Sequence, residues 1–212
     1  MVLDSDVKKG NDLREVKSIE KLATLHGLVL AGGSSIRMGC DKGLIKYHGV
    51  PQVLWLHSFL SEFCESVYVS IKPKQQNIYP YSELPLIIDS SELRGPAAGM
   101  LAAWDFCSGC AWLVVAIDLP FLKYKFIKNL IDMRDQNSLA VAYQHSSGIL
   151  EPVCTIYEPP AHHRLIKNSS VGNASLRQIL EVGPTVKIPI PEQSVFRSIN
   201  TFQEYEKACK KF

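Results

Sequence analysis

The chain has 212 residues, of which 46% are hydrophobic and 21% charged, with 23 Lys and Arg against 21 Asp and Glu. This is the composition of one packed α/β-sized domain; it excludes a disordered or acidic-tail protein, and a formal net charge of +2 lacks the basic excess of a nucleic-acid binder. No apolar run reaches the ~18–20 residues of a membrane span, and residues 1–6 carry no signal-peptide apolar segment, so a cytoplasmic location away from the membrane is expected.

Residues 1–24 interleave charges with a thin apolar stripe of Leu13, Val16 and Ile19, and read as an extension carrying a short helix. The texture changes at Gly27. The run 27–31, Gly-Leu-Val-Leu-Ala, is short and continuously apolar and ends in Gly32-Gly33, which predicts a buried parallel strand followed by a loop. Similar runs at 67–71, 86–88, 111–117 and 139–143 predict further strands. Between them, 52–64 places Val53, Leu56, Leu60 and Phe63 near helical spacing. A helix over 96–106 opens with Pro96 in its first turn, and one over 123–133 presents Phe126, Ile127, Leu130 and Ile131. Towards the end, 152–157 and 186–190 predict strands, and 161–168, 173–181 and 201–211 helices. Thr201 and Glu204 form the capping box of the last. Strands alternating with helices imply a three-layer α/β domain over 25–212, with a mostly parallel central sheet covered by helices on both faces.

The six cysteines, at 40, 64, 107, 110, 154 and 209, form no disulfide framework in a chain long enough to build its own core. Cys107-Ser108-Gly109-Cys110 is a single CxxC; a zinc site wants further ligands, and His162-His163 read as solvated loop residues rather than as those ligands, so the thiols are taken as incidental.

Ligands of an open parallel sheet bind beyond the carboxyl ends of its strands. There the first strand delivers Leu30-Ala31-Gly32-Gly33-Ser34-Ser35-Ile36-Arg37-Met38-Gly39-Cys40-Asp41-Lys42. Paired glycines let backbone N–H groups approach an anion, and Arg37 and Lys42 add a planar fork and a point charge suited to a polyphosphate. The spacing is neither GxGxxG nor a P-loop. Asp118 follows the most hydrophobic run, Trp112-Leu113-Val114-Val115-Ala116-Ile117. A carboxylate there is costly unless paired, metal-bound or used as a helix cap, and beside a Gly-rich loop the metal role is favoured. Gly95-Pro96-Ala97-Ala98-Gly99 reads as a turn opening a helix with small residues that admit a ligand or tighten packing.

The run LAGGSSIRMGCDK resembles the L-A-G-G-x-S-x-R-M-G-x-D-K signature of the molybdenum cofactor guanylyltransferases, within the wider GT-A-like, Rossmann-like nucleotidyltransferases. Segments 94–100, 116–121 and 198–201 follow in that family's order and extend the resemblance over 27–211. It implies transfer of GMP from GTP to the terminal phosphate of Mo-molybdopterin, releasing pyrophosphate and giving the guanine dinucleotide cofactor. Carried over residue by residue, it implies backbone contacts to the nucleotide from Leu30, Ala31 and Gly32, with Gly33 shaping the loop. Lys42 would bind the triphosphate with Arg37 beside it, Asp89 would lie at the base or ribose, Gly95 and Pro96 near the guanine, and Asp118 on Mg²⁺. Lys42, Arg37 and Asp118 form the implied catalytic set. Where the family commonly has Asn after the second strand stands Ser70, and the frequent Asn-x-Asn-Thr-Pro becomes Ser198-Ile199-Asn200-Thr201-Phe202. Asn200 and Arg177 are the implied acceptor-side residues, with Gly172 and Ser175 on the same helix and Glu151 beside the acceptor cleft. A cytidylyltransferase using CTP, or a non-catalytic nucleotide-binding module, are the alternatives. Implied partners are GTP, Mo-molybdopterin and molybdoenzymes or cofactor-delivery proteins, with no nucleic acid and no membrane, in a monomer or weak homo-oligomer.

Overall fold

The computed structural model describes residues 22–33, 39–89, 93, 95–170 and 174–210. Arg37, Gly172 and nearly all of the 1–24 extension lie outside them.

Seven strands form one sheet: β1 (Leu25–Leu30), β2 (Ser66–Ile71), β3 (Leu86–Ile88), β4 (Ala111–Ala116), β5 (Ala140–Gln144), β6 (Leu150–Tyr157) and β7 (Thr185–Pro189), in the order β3-β2-β1-β4-β6-β5-β7. Every neighbouring pair is parallel except those of β6, which runs against both β4 and β5. The reversal follows from the tight connection after β5, where His145 N–H donates to the Ile149 carbonyl and Gly148 takes a φ of 84°; only antiparallel strands can be joined so tightly. It carries the first residues of β6, including Glu151, to the edge where the other strands end.

The helices are α1 (Gln52–Ser61), α2 (Pro96–Phe106), α3 (Tyr124–Asp132), α4 (Pro160–Ser170), α5 (Leu176–Val182) and α6 (Phe202–Cys209). One face of the sheet packs Val29, Val69, Leu113, Val115 and Ile156 against Val53, Leu56 and Leu60 of α1 and Phe126, Ile127 and Leu130 of α3. The other packs Leu28, Trp112 and Val114 against Met100 and Trp104 of α2, Leu165 of α4 and Ile179 and Leu180 of α5. Each such fully buried side chain contributes on the order of 1.5–3 kcal/mol, and alternation along β1 and β4 sends residues to both layers. The three-layer, mostly parallel architecture expected from the sequence is therefore the observed one. No helix among the described residues is long and apolar enough to cross a membrane.

Beneath the sheet, at the amino ends of β1 and β4, Arg134 and Glu158 form a buried two-pronged ion pair of 2.7 and 2.9 Å, and Arg134 also donates to the Ala23 carbonyl at 2.8 Å. Above it, a small cluster of Tyr47, Ile199 and Ala208, flanked by Phe121 and Tyr205, seats α6 over the carboxyl ends.

Two expectations about side chains are corrected. Cys107 and Cys110 are joined as a disulfide, because the turn between α2 and β4 brings their Cα atoms to 5.5 Å. His162 is not a solvated loop residue: it lies on α4, and its ring stacks on the buried Trp104 at 5.2 Å between centroids.

Candidate active site

The carboxyl ends of β3, β2, β1 and β4 are tied side by side. Ala31 N–H donates to the Ser70 carbonyl at 2.9 Å, Ile117 N–H to the Leu30 carbonyl at 3.1 Å, and Asp89 N–H to the Ile71 carbonyl at 2.8 Å. Three connections leaving adjacent strands therefore start from fixed positions.

Lys42, at the far end of the loop after β1, begins a single 3-10 turn (Lys42–Leu44). Its Nζ donates to Asp118 Oδ2 at 3.1 Å and to Asn200 Oδ1 at 2.6 Å. Asp118 leaves β4 and Asn200 precedes α6, so three distant segments meet at one ammonium. Their backbones are joined as well, by the Ile199 N–H to the Asp118 carbonyl at 3.1 Å. Asp118 caps no helix, since Lys123 stands at the amino end of α3; its carboxylate is instead paired with the Lys42 ammonium. Asn200 is held by the cap of α6, where Thr201 accepts from the Glu204 N–H and the Glu204 carboxylate accepts from the N–H groups of Asn200 and Thr201 at 2.8 and 3.0 Å. Those backbone bonds hold the Glu204 carboxyl below its ordinary value.

A second group lies over β2 and β3. Ser70 is buried, and its hydroxyl donates to Asp89 Oδ1 at 2.5 Å. The serine therefore acts behind Asp89, orienting it. Burial holds the Asp89 carboxyl above its usual value, while the Ser70 hydrogen bond and the Lys72 charge pull it back. Gly32 must lack a side chain, since a Cβ there would overlap Asp89 Oδ2, and Gly99 must too, since a Cβ would strike Ser70 Oγ and Leu30. The φ of Gly32 is not positive, so its missing side chain serves the close approach of Asp89 rather than an unusual backbone conformation. Gly95 does take a left-handed φ of 74° and starts α2 with Pro96 in its first turn, both exposed beside this group. Gly33 is exposed and faces open space.

Sequence reasoning missed the residues that set the loop's end. Asp41 accepts from Gly43 N–H at 2.9 Å, from Gln75 Nε2 at 2.7 Å and from the Tyr81 hydroxyl at 2.7 Å, while Gln75 Nε2 also reaches the Ala31 carbonyl at 3.3 Å. Burial and the Asp41 charge push the Tyr81 hydroxyl's pKa upwards, so it stays a donor. Gln75 and Tyr81 sit in a polar, proline-broken segment whose sequence carries no signal of burial. The other expected acceptor-side residues lie on α5 and β6. Arg177 is exposed on α5. Glu151, half-buried on β6, faces His145 at 3.4 Å and accepts from the Val153 N–H.

A family model described as the MobA-like NTP transferase domain matches residues 27–188, a span that contains the loop, Asp89 and Asp118. The chain belongs to the MobA-like NTP transferase family. Among the relatives of this MobA-like chain, a molybdenum cofactor biosynthesis bifunctional protein of Synechocystis sp. is 33% identical over 182 residues. That match covers 85% of this chain and 52% of the other, so the chain spans about half the length of that relative. A molybdenum cofactor guanylyltransferase of Cupriavidus metallidurans is 29% identical over 190 residues, covering 85% of this chain and 92% of that one. The crystal structure of a molybdopterin-guanine dinucleotide biosynthesis protein A from Archaeoglobus fulgidus matches with a TM-score of 0.73 at 25% identity, over 88% of this chain and all of the other. The MobA-like chain is thus a nucleotidyltransferase by family, and its fold is that of its structural neighbours.

Proposed function

We propose that the protein transfers GMP from GTP to the terminal phosphate of Mo-molybdopterin, releasing pyrophosphate. The observation that carries this reading is the meeting of Lys42, Asp118 and Asn200 at the carboxyl end of the sheet, two strands from Asp89. A phosphate oxygen of the acceptor attacks the α-phosphorus, and the bond from that phosphorus to the bridging oxygen of the β-phosphate breaks. The nucleophile is already an anion, so no general base is needed; positioning and charge neutralisation carry the step. Lys42, with Arg37 on the same loop, neutralises the triphosphate. Ser70 and Gly32 fix Asp89 for the base or ribose, with Leu30, Ala31, Gly95 and Pro96 around it, and Asn200 faces the acceptor.

Asp118 and Asn200 direct oxygen donors at one cationic centre, the Lys42 ammonium, a donor set that suits a hard divalent ion such as Mg²⁺. Asp118 would hold that ion, which when bound supplies Lewis-acid stabilisation of charge developing on phosphate oxygens. The relatives named for molybdenum cofactor guanylyltransfer support a guanine nucleotide as the donor.

The test is turnover with GTP and with CTP, in the presence of Mg²⁺ and Mo-molybdopterin, for the native chain and for Asp118→Ala. Turnover with GTP well above that with CTP, lost by at least two orders of magnitude in a variant with native far-UV circular dichroism, is the expected result. Preference for CTP overturns the donor, near-normal transfer by Asp118→Ala overturns its role, and nucleotide binding without any transfer overturns the enzyme reading.

A further inference from the structure

At the opposite end of the sheet from Lys42, three side chains of metal-ligating type converge. His26 is the second residue of β1, Cys107 follows the last residue of α2, and Cys110 directly precedes β4. One ring nitrogen of His26 and the two sulfurs all lie within 4.8 Å of one another. The parallel register of β1 and β4 sets this, because it places His26 opposite Trp112, two residues beyond Cys110.

The surroundings hold the three groups in place. The Cys107 carbonyl accepts from Cys110 N–H and from Trp112 Nε1, each at 3.4 Å, which closes the turn. The His26 ring packs in a triangle with Tyr68 and Trp112, with centroids 5.8 and 5.4 Å away. Its Nδ1 is buried and makes no hydrogen bond. A buried polar atom left without a partner is costly, and a ligand would satisfy it. Cys107 is also the carboxyl-terminal cap of α2, an eleven-residue helix whose end carries partial negative charge and favours a cation.

The geometry points to a thiophilic metal site, in which His26 and the reduced pair Cys107 and Cys110 bind one Zn²⁺-class cation and leave a fourth position to water. Two sulfurs, one imidazole and an open position form a borderline-soft set suited to zinc. The structure holds the oxidised pair, so disulfide and metal are alternative states of one site. A phosphine reductant and water convert the disulfide to two thiols and phosphine oxide; binding of the cation by both sulfurs then releases two protons. The site is independent of nucleotide transfer, since no residue of the Lys42 or Asp89 groups belongs to it.

The test uses the full chain carrying Cys40→Ser and Cys209→Ser, which removes the two exposed free thiols. After phosphine reduction it is titrated with Zn²⁺ against a chromophoric chelator and with Co²⁺ for thiolate-to-metal charge transfer. One equivalent of tightly bound Zn²⁺ is expected, lost in Cys107→Ser and weakened at least tenfold in His26→Gln. In the otherwise native chain, Zn²⁺ should slow alkylation of Cys107 and Cys110, mapped by mass spectrometry, by a similar factor, a readout that needs no variant to fold. Reduced protein that binds no zinc, zinc retained by Cys107→Ser, or alkylation unaffected by zinc overturns the site and leaves a plain disulfide.

Discussion

Asp89 shows how much of this site depends on single atoms. Its carboxylate is caught between the Ser70 hydroxyl and the bare Cα of Gly32, and burial favours its protonated form. The folded state therefore binds this proton more readily than the unfolded chain. Stability from this group is greatest below the ordinary aspartate value, about 3.9, and declines as pH rises through the elevated folded value. Asp89→Asn keeps an oxygen for Ser70 and removes the charge. Its melting temperature relative to the native chain should rise between pH 4 and 7; a difference constant with pH in thermal unfolding overturns this account. The motif LAGGSSIRMGCDK made Gly32 and Lys42 legible as candidate site residues, and the resemblance added Asp89 as a further candidate. Their partners were less legible, because Ser70, Gln75 and Tyr81 acquire meaning only from what they touch.

Among the elements, the parallel core β3-β2-β1-β4 positions chemistry at its carboxyl ends and stability at its amino ends. The Arg134–Glu158 pair belongs to the second task, joining the end of β6 to the segment before β1. Glu158→Ala should cost about 3–5 kcal/mol, since it strands a buried guanidinium. The double change Arg134→Met with Glu158→Leu should cost clearly less. Urea unfolding of the three proteins checks the order, and a single variant no less stable than the double one contradicts it. The sequence located all seven strands, the central β1 and β4 most plainly, because a strand buried on both faces is written as a continuous apolar run. The capping box at Thr201 and Glu204 was likewise readable, being local. The direction of β6 was not, since nothing within 150–157 records which way its neighbours run.

For the molecule as a whole, ligand and fold share one edge of the sheet: the loop after β1, Asp118 after β4 and Asn200 before α6 are separated by as many as 158 residues yet meet at Lys42. A nucleotide that bridges them should stabilise the entire domain. With GTP and Mg²⁺ at a hundred times the dissociation constant, linkage adds about 2.7 kcal/mol, roughly a 5–10 °C rise in melting temperature for a domain of this size. CTP at equal concentration should give a smaller shift in differential scanning fluorimetry; equal shifts contradict selectivity for guanine. Taken alone, the sequence determined the fold class, the positions of the elements, and a dense candidate loop for binding an anion, since each is encoded by near neighbours through periodicity, caps and glycine. It also showed a near-neutral charge total whose members are unevenly spaced. Only the tertiary structure decided which of those charges meet: Asp118 with Lys42 and Asn200, Asp41 with Gln75 and Tyr81, and His26 with a cysteine pair whose spacing had passed for incidental. Contacts between residues far apart in the chain depend on strand order and on register across the whole sheet, which no local stretch contains.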